Sequence, residues 1–333
     1  MALGLLLFCI TALLCVLSPD QALAWGPGAH LLTGNWLLQN LSALPAGVAA
    51  VIMAFPEQFL HGLLGADIFI GKGCKAKKGH SHNWESGFTL LENAQSQQHQ
   101  AYAYGYLSHL AADTVAHNVF VPGFMHTAPA SGKTAHVYLE IQADSLIKWS
   151  GRDALALFYG QESAAALDLL KRSMHRKSLP FWLNAGLYKS SIAIGGSRFW
   201  RNSMECIDKL LWPKDRREQL SYLLGLSTKA MFNVLQEGSD SKVLELDPVG
   251  TDALALAERQ AGRKQSLVGS SIRRHLCKTL DRHLTSPLLK KIHLLPSQSA
   301  DAINENIVAA QSVKTPSILA SLPAACGQRK DYS

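Results

Sequence analysis

Residues 102–121, YAYGYLSHLAADTVAHNVFV, carry the most regular apolar pattern in the chain. Leu107, Leu110, Ala111 and Val115 stand at positions i, i+3, i+4 and i+8, which is typical of a helix with a buried face. Strand-like alternation is hard to find in the rest of the sequence. The pattern therefore predicts an all-α protein, a bundle of many packed helices.

The same stretch carries metal-ligand chemistry, since His109, Asp113 and His117 are spaced four residues apart. Four residues turn a helix by about 400°, so the three side chains lie on one stripe that drifts by about 40° per step. His136 and Glu140 repeat this spacing. Pairs of this kind on facing helices project toward each other in metal-binding bundles, which predicts a buried metal cleft.

The amino-terminal region has the features of a secretory signal peptide. An apolar run ends near Leu17, and Ala22-Leu23-Ala24 forms a small-residue cleavage site. The run of about 15 residues is shorter than the roughly 20 that span a bilayer as a helix, and an uncleaved anchor is the alternative. Cleavage after Ala24 predicts export to the periplasm or the medium. It also makes Trp25 the first residue, with a free α-amine that can bind a metal ion.

Composition sets the domain organisation. Removing residues 1–24 leaves 309 residues (333 − 24), and the loss of Asp20 changes the net charge from +7 to +8, which suits an anionic partner. We expect a helical catalytic domain at 25–240 and a basic helical region at 241–333 with a partly disordered tail. Four cysteines remain after cleavage, and their three possible pairings stay open: Cys74, Cys206, Cys277 and Cys326.

With these motifs in place, the chain resembles the zinc-dependent phospholipase C family, which is related to the S1/P1 nucleases. The resemblance rests on GADI at 65–68, SHNW at 81–84, YLSHLAAD at 106–113 and the pair His136 and Glu140. It implies an all-helical fold with up to three zinc ions in one cleft. It also implies a mature amino-terminal tryptophan that chelates zinc through its amine and carbonyl.

Carried over position by position, the resemblance implies a set of metal ligands: Trp25, His30, Asp67, His82, His109, Asp113, His117, His136 and Glu140. Asp67 is in addition the candidate catalytic base. His80 competes with His82, which stands in the matching tripeptide. In the family the last histidine follows the aspartate by six residues, whereas His117 follows Asp113 by four.

The resemblance implies an exported phosphodiesterase, a phospholipase C that cleaves glycerophospholipids to diacylglycerol and a phosphorylated head group. We expect a monomer that also contacts anionic membrane surfaces through its basic residues. One alternative is a single-strand nuclease on the same scaffold, in which case nucleic acid would be the substrate. The other is a helical metal-binding protein without catalysis.

Overall fold

The computed structural model describes residues 25–69, 80–125, 128, 132–174, 180–211 and 216–261. Within these residues 82% of the chain is helical and there is no strand. The predicted all-α fold is therefore confirmed. The predicted signal peptide, the chain after residue 261 and the side chains of the four cysteines lie outside the described residues.

The α-helices follow one another with short connections. Their bounds are α1 Pro27–Gln39, α2 Ala46–Ala54, α3 Pro56–Gly65, α4 Trp84–Glu92, α5 Gln97–Val115, α6 Val121–Phe124, α7 Gly132–Ser145, α8 Gly151–Ala156, α9 Gln161–Ser173, α10 Phe181–Gly195, α11 Arg198–Leu211, α12 Arg216–Glu237 and α13 Thr251–Ala261. A π-helical segment, Ala116–Phe120, joins α5 to α6, and a 3₁₀ turn, Ala66–Ile68, follows α3. Helices α4 and α10 are not among the elements predicted from the sequence.

Helix α5 is the central helix of the bundle. The Oγ of Ser96 accepts a hydrogen bond from the backbone N–H of His99 and caps its start. From Ala101 onward nearly every residue is buried, because α3, α4 and α12 pack around it. A helix buried on all sides must satisfy its polar side chains within the protein. The polar residues near its carboxyl end therefore mark the candidate site.

Helices α3 and α5 cross with their backbones in contact. A Cβ on Gly62 would lie 1.9 Å from the carbonyl oxygen of Tyr102, and one on Gly105 would lie 2.0 Å from that of Phe59. Only glycine allows this approach. The crossing places the backbone of α3 directly beside the site-bearing turns of α5.

Within the described part of the chain, no single helix is both long and apolar enough to cross a membrane. The segments Ala46–Ala54 and Pro56–Ile68 reach the required length and composition only when taken together, and they are bent by 94° relative to each other.

Candidate metal centre

His109 and Asp113 form the middle of the site. Both are fully buried on α5, one helical turn apart, and the His109 Nε2 lies 3.1 Å from the Asp113 Oδ2. Around them the structure brings together three groups of histidine and carboxylate side chains. Within each group the candidate ligand atoms lie within 4.8 Å of one another.

The first group consists of Asp67, His82 and His109. Asp67 stands on the 3₁₀ turn after α3, and His82 lies two residues before α4, next to its N-cap Asn83. The His82 Nε2 lies 3.2 Å from the Asp67 Oδ1 and 3.0 Å from the His109 Nε2. Three chain segments that are distant in sequence therefore direct nitrogen and oxygen atoms toward one point.

The second group consists of His30, His109 and Asp113. The His30 Nε2 lies 3.3 Å from the Asp113 Oδ1, and the rings of His30 and His109 stack with their centroids 4.0 Å apart. The Asp113 Oδ2 faces the other way and lies 3.1 Å from the His82 Nε2. The carboxylate of Asp113 is thus shared between the first and second groups.

The third group consists of His117, His136 and Glu140. The His136 Nε2 lies 2.7 Å from the Glu140 Oε1 across one turn of α7, and the rings of His117 and His136 meet nearly at right angles at 5.1 Å. The stripe expected from the sequence therefore ends at Asp113, because His117 turns toward α7. Two four-residue steps already rotate it by about 80°, and it lies in a π-helical segment, a feature often found at functional sites.

Backbone carbonyls orient two of the histidines. The Nδ1 of His109 donates to the carbonyl of Leu63 at 2.8 Å, and the Nδ1 of His117 donates to the carbonyl of Pro248. A carbonyl oxygen only accepts, so Nδ1 carries the proton and the Nε2 of each neutral ring presents its lone pair to the site. Such contacts fix the tautomer and the direction of a metal-binding imidazole.

The surroundings of Asp113 and His30 shift the pKa of each toward its metal-binding protonation state. Burial acts to raise the pKa of Asp113, yet the positive charge of His109 in its protonated form, together with the nearby rings of His30 and His82, holds that pKa well below its usual range before any metal ion binds. Burial lowers the pKa of His30, and a proton on His109 lowers it further, although Asp113 opposes both effects. Metal ions bind ionised carboxylates and neutral imidazoles, so both directions favour binding.

The donor set fits zinc. Zn²⁺ prefers histidine nitrogen and carboxylate oxygen, and each of the three groups contains both. The Nε2 of His30 and both carboxylate oxygens of Asp113 are buried and close together, yet they are not aligned as hydrogen bonds. Nitrogen and oxygen atoms that lie this close without forming hydrogen bonds to each other have the arrangement expected of ligands around a shared metal ion.

Trp25 is anchored beside this centre. Its side chain is 1% exposed, its indole N–H donates to the carbonyl of Ala112 and to the Oγ of Ser227, and its ring stacks on Phe120 at 4.7 Å. Because Ala112 directly precedes Asp113, these contacts hold the first residue after the predicted cleavage site against the site-bearing turn of α5. A ligand role for its amine remains a prediction.

Three described histidines, His61, His80 and His99, lie outside the three groups. The Nδ1 of His80 accepts a hydrogen bond from the backbone N–H of His82 at 3.0 Å, so His80 supports the residue with which it competed in the sequence analysis. His61 is buried between the rings of Tyr102 and Phe158. Burial lowers the pKa of His61 to about 3, so it is a neutral core residue.

Asp144 and the turn at Pro248 are two features near the site that were not predicted from the sequence. The Oδ1 of Asp144 accepts a hydrogen bond from the backbone N–H of Ala29 at 2.9 Å and joins α7 to the start of α1. Burial raises the pKa of Asp144 to about 7. Its position four residues after Glu140 was a visible signal, because it continues the stripe of α7. Pro248, 131 residues from His117, has no local signal.

Comparison with known proteins identifies one family. Residues 29–193 match the family model described as zinc dependent phospholipase C. The matched segment contains eight of the nine candidate ligands, from His30 to Glu140, and excludes Trp25 and the Pro248 turn. No curated protein and no solved structure matches the chain.

Proposed function

Because residues 29–193 belong to the zinc-dependent phospholipase C family, we propose that the protein is an exported phospholipase C. It hydrolyses glycerophospholipids to diacylglycerol and a phosphorylated head group. The observation that carries the proposal is the buried carboxylate of Asp113, which faces two of the three groups at once. A carboxylate shared in this way suits a hydrolase that works with more than one ion.

The three groups would hold up to three zinc ions. Asp67, His82, His109 and Asp113 would hold one, His30 and Asp113 a second together with the amine and carbonyl of Trp25, and the third group the last. Bound zinc supplies a Lewis acid for the phosphoryl oxygens and lowers the pKa of a bound water toward about 7. Asp67, Asp113 and Glu140 contribute three negative charges against +6, which leaves a cationic site for a phosphate diester.

Asp67 is the residue we assign to proton transfer. In the overall reaction the water oxygen bonds to phosphorus, the bond from phosphorus to the glycerol oxygen breaks, and the water proton ends on that oxygen. The Asp67 carboxylate is 2% exposed at the edge of the first group, where it would accept the proton from the attacking water. Its contact with His82 Nε2 holds one carboxylate oxygen toward the ligand cluster.

Export, partner and assembly complete the proposal. Removal of residues 1–24 would create the free amine of Trp25, so the precursor should lack part of the zinc site. The substrate is a phospholipid, the basic residues favour anionic membrane surfaces, and the chain acts as a monomer.

A preparation that starts at Trp25, compared with one that has a single extra alanine before it, tests the role of the Trp25 amine as a zinc ligand. We expect the extended form to bind about one zinc ion fewer while keeping its helical circular dichroism.

The activity test supplies zinc to the mature protein and measures head-group release from phosphatidylcholine vesicles. The Asp67→Asn variant should lower kcat at least about 100-fold, as expected for loss of a general base. The matched control is Asp168→Asn, an exposed carboxylate paired with Arg172, which should leave kcat unchanged. Nucleotide release from single-stranded DNA without lipid hydrolysis would replace the proposal with a nuclease. Absence of both activities would favour a metal-binding protein.

A further inference from the structure

The first turn of α1 connects Trp25 to His30, which the proposed function assigns to the same zinc ion. Trp25 stands two residues before α1, and His30 lies at the end of its first turn. The backbone N–H of His30 donates to the carbonyl of Gly26 at 3.2 Å, so the residue after Trp25 is tied to His30 by the first hydrogen bond of the helix. A contact that holds this turn therefore holds both candidate ligands.

Asp144 on α7 provides such a contact. The N-cap residue of α1 is Gly26, which has no side chain to cap the helix. The Oδ1 of Asp144 caps it instead and accepts a hydrogen bond from the backbone N–H of Ala29 at 2.9 Å, although the two residues are 115 positions apart. The N–H groups of the first turn have no partner within their own helix, so an acceptor from another helix satisfies one of them. Asp144 is 8% exposed, and the contact is buried.

The sequence Gly26-Pro27-Gly28 leaves room for this carboxyl. A Cβ on Gly26 would lie 2.5 Å from the Cγ of Asp144, and one on Gly28 would lie 2.7 Å from its Oδ1. Glycine allows such an approach, whereas any larger residue would displace the carboxyl. Pro27 has no N–H and needs no partner at the first helical position. The segment that follows Trp25 is therefore fitted to Asp144.

The chain at Trp25 is thus held from two directions. Its indole N–H is bound by Ala112 and Ser227, and its backbone leads directly into the glycine against which Asp144 packs. The indole contacts alone leave the direction of the backbone open, because rotation about the two side-chain torsions of tryptophan moves the backbone relative to a fixed ring. The contact with Asp144 removes that freedom.

We propose that Asp144 is a positioning residue for the second zinc ion, which holds the first turn of α1 so that Trp25 and His30 serve the same ion. Asp144 belongs to none of the three groups of candidate ligands. Glu140 lies one turn earlier on α7, so this helix provides ligands for the third group and support for the second. The proposal rests on the zinc-dependent function proposed above and adds a residue outside the ligand set.

Asp144→Ala and Asp144→Asn test the role of the hydrogen bond. Alanine removes the acceptor, whereas asparagine keeps an oxygen that can accept from Ala29. The measurement is zinc per mature chain, with free zinc buffered at about ten times the wild-type dissociation constant of the second ion. Loss of a group that orients a metal ligand typically weakens binding about 10- to 100-fold, so Asp144→Ala should leave this ion at about half occupancy or less. Asp144→Asn should hold as much zinc as the wild type.

Two further variants separate positioning from a general loosening of the fold. His30→Ala should lack the second ion, and Asp144→Ala added to it should remove no more zinc. Ser150→Ala is the matched control for loss of a helix cap, because the Ser150 Oγ accepts from the backbone N–H of Asp153 at the start of α8. Helix α8 carries none of the candidate ligands, so Ser150→Ala should leave the zinc content unchanged.

Unchanged zinc in Asp144→Ala overturns the proposal, as does further zinc loss when that change is added to His30→Ala. Equal losses in Asp144→Ala and Asp144→Asn also overturn it, because the hydrogen bond would then not be the cause. If Asp144→Ala fails to fold, Gly26→Ala replaces it. This variant keeps the carboxyl but displaces it, and it should lose the same ion, whereas full zinc content contradicts the positioning role.

The outcomes also distinguish this proposal from the proposed function. A wild type that binds no zinc rejects both. Selective loss of the second ion from Asp144→Ala, in a protein without lipase activity, rejects the phospholipase function and supports the positioning role. Lipid hydrolysis by a wild type whose zinc content Asp144→Ala leaves unchanged rejects the positioning role alone.

Discussion

Replacing Asp113 with asparagine should remove two metal ions, although only one residue changes. The Oδ1 of Asp113 faces His30 at 3.3 Å, and its Oδ2 faces His82 and His109, each at 3.1 Å. The amide keeps the shape of the side chain but loses the charge that both groups share. The third group has its own carboxylate, Glu140, and should be unaffected.

The size of the effect follows from the ligand count. Zinc binding of about 12 kcal/mol divided among four ligands gives about 3 kcal/mol for each ligand. Since 1.4 kcal/mol corresponds to a factor of ten, each of the two ions should bind more than about 100-fold more weakly. Zinc buffered at about ten times the wild-type dissociation constant would then fill the third group and leave the other two mostly empty.

Zinc per chain, measured by mass spectrometry after dialysis against such a buffer, tests the sharing directly. The wild type should hold about three ions, Asp113→Asn about one, and Glu140→Gln about two. Asp168→Asn serves as the surface control and should match the wild type. If Asp113→Asn loses a single ion, or the same number as Glu140→Gln, then Asp113 is not shared and the reasoning from its two oxygens is wrong.

Three further predictions concern the surroundings of the site, and substitutions test each of them. Gly250→Ala should destabilise the fold by about 2–3 kcal/mol and deplete the zinc bound at His117, because φ is +63° and the new Cβ would lie 2.5 Å from the His117 carbonyl oxygen. Gly238→Ala, at φ +56° in open space, should cost only about 1 kcal/mol in urea unfolding, and equal zinc loss in both variants would refute the steric argument. Burial raises the pKa of Asp144 to about 7. The protonated carboxyl therefore contributes to the free energy of unfolding; this contribution is fully present below about pH 4 and is lost as the pH rises through 7. The unfolding free energy of wild type relative to Asp144→Asn should thus fall by up to about 4 kcal/mol between pH 4 and 8, and a constant difference would show an ordinary carboxyl. His61→Phe should stabilise the protein by about 1 kcal/mol or more at pH 7, as it removes two buried nitrogens without described partners, and a lower melting temperature would show that those nitrogens are satisfied.

The parts of the site that could be predicted from the sequence are those encoded within one helix. His109 and Asp113, like His136 and Glu140, are neighbours because a helix brings residues four apart onto one face. Asp67 and His82 have no such local relation to α5. Their place among the candidate ligands came from resemblance to known motifs.

The remaining features depend on packing between distant segments. The carbonyl of Pro248 reaches His117 only after α12 and α13 have assembled, and nothing in the residues near 248 indicates that contact. The direction of the His117 side chain could not be predicted either, because its π-helical segment interrupts the regular helical rotation from which the stripe was expected.

The glycine contact between α3 and α5 has a consequence for how the metal chemistry can change. Gly105 and His109 are one turn apart on α5, and Phe59 and Leu63 are one turn apart on α3. The close approach of Gly105 to Phe59 therefore determines the distance between the helices one turn further on, where His109 donates to the carbonyl of Leu63. Gly62 and Gly105, which have no side chains, thus determine how far the His109 imidazole lies from its hydrogen-bond acceptor on α3. A transplant of this centre into another scaffold would have to include both glycines as well as the ligands.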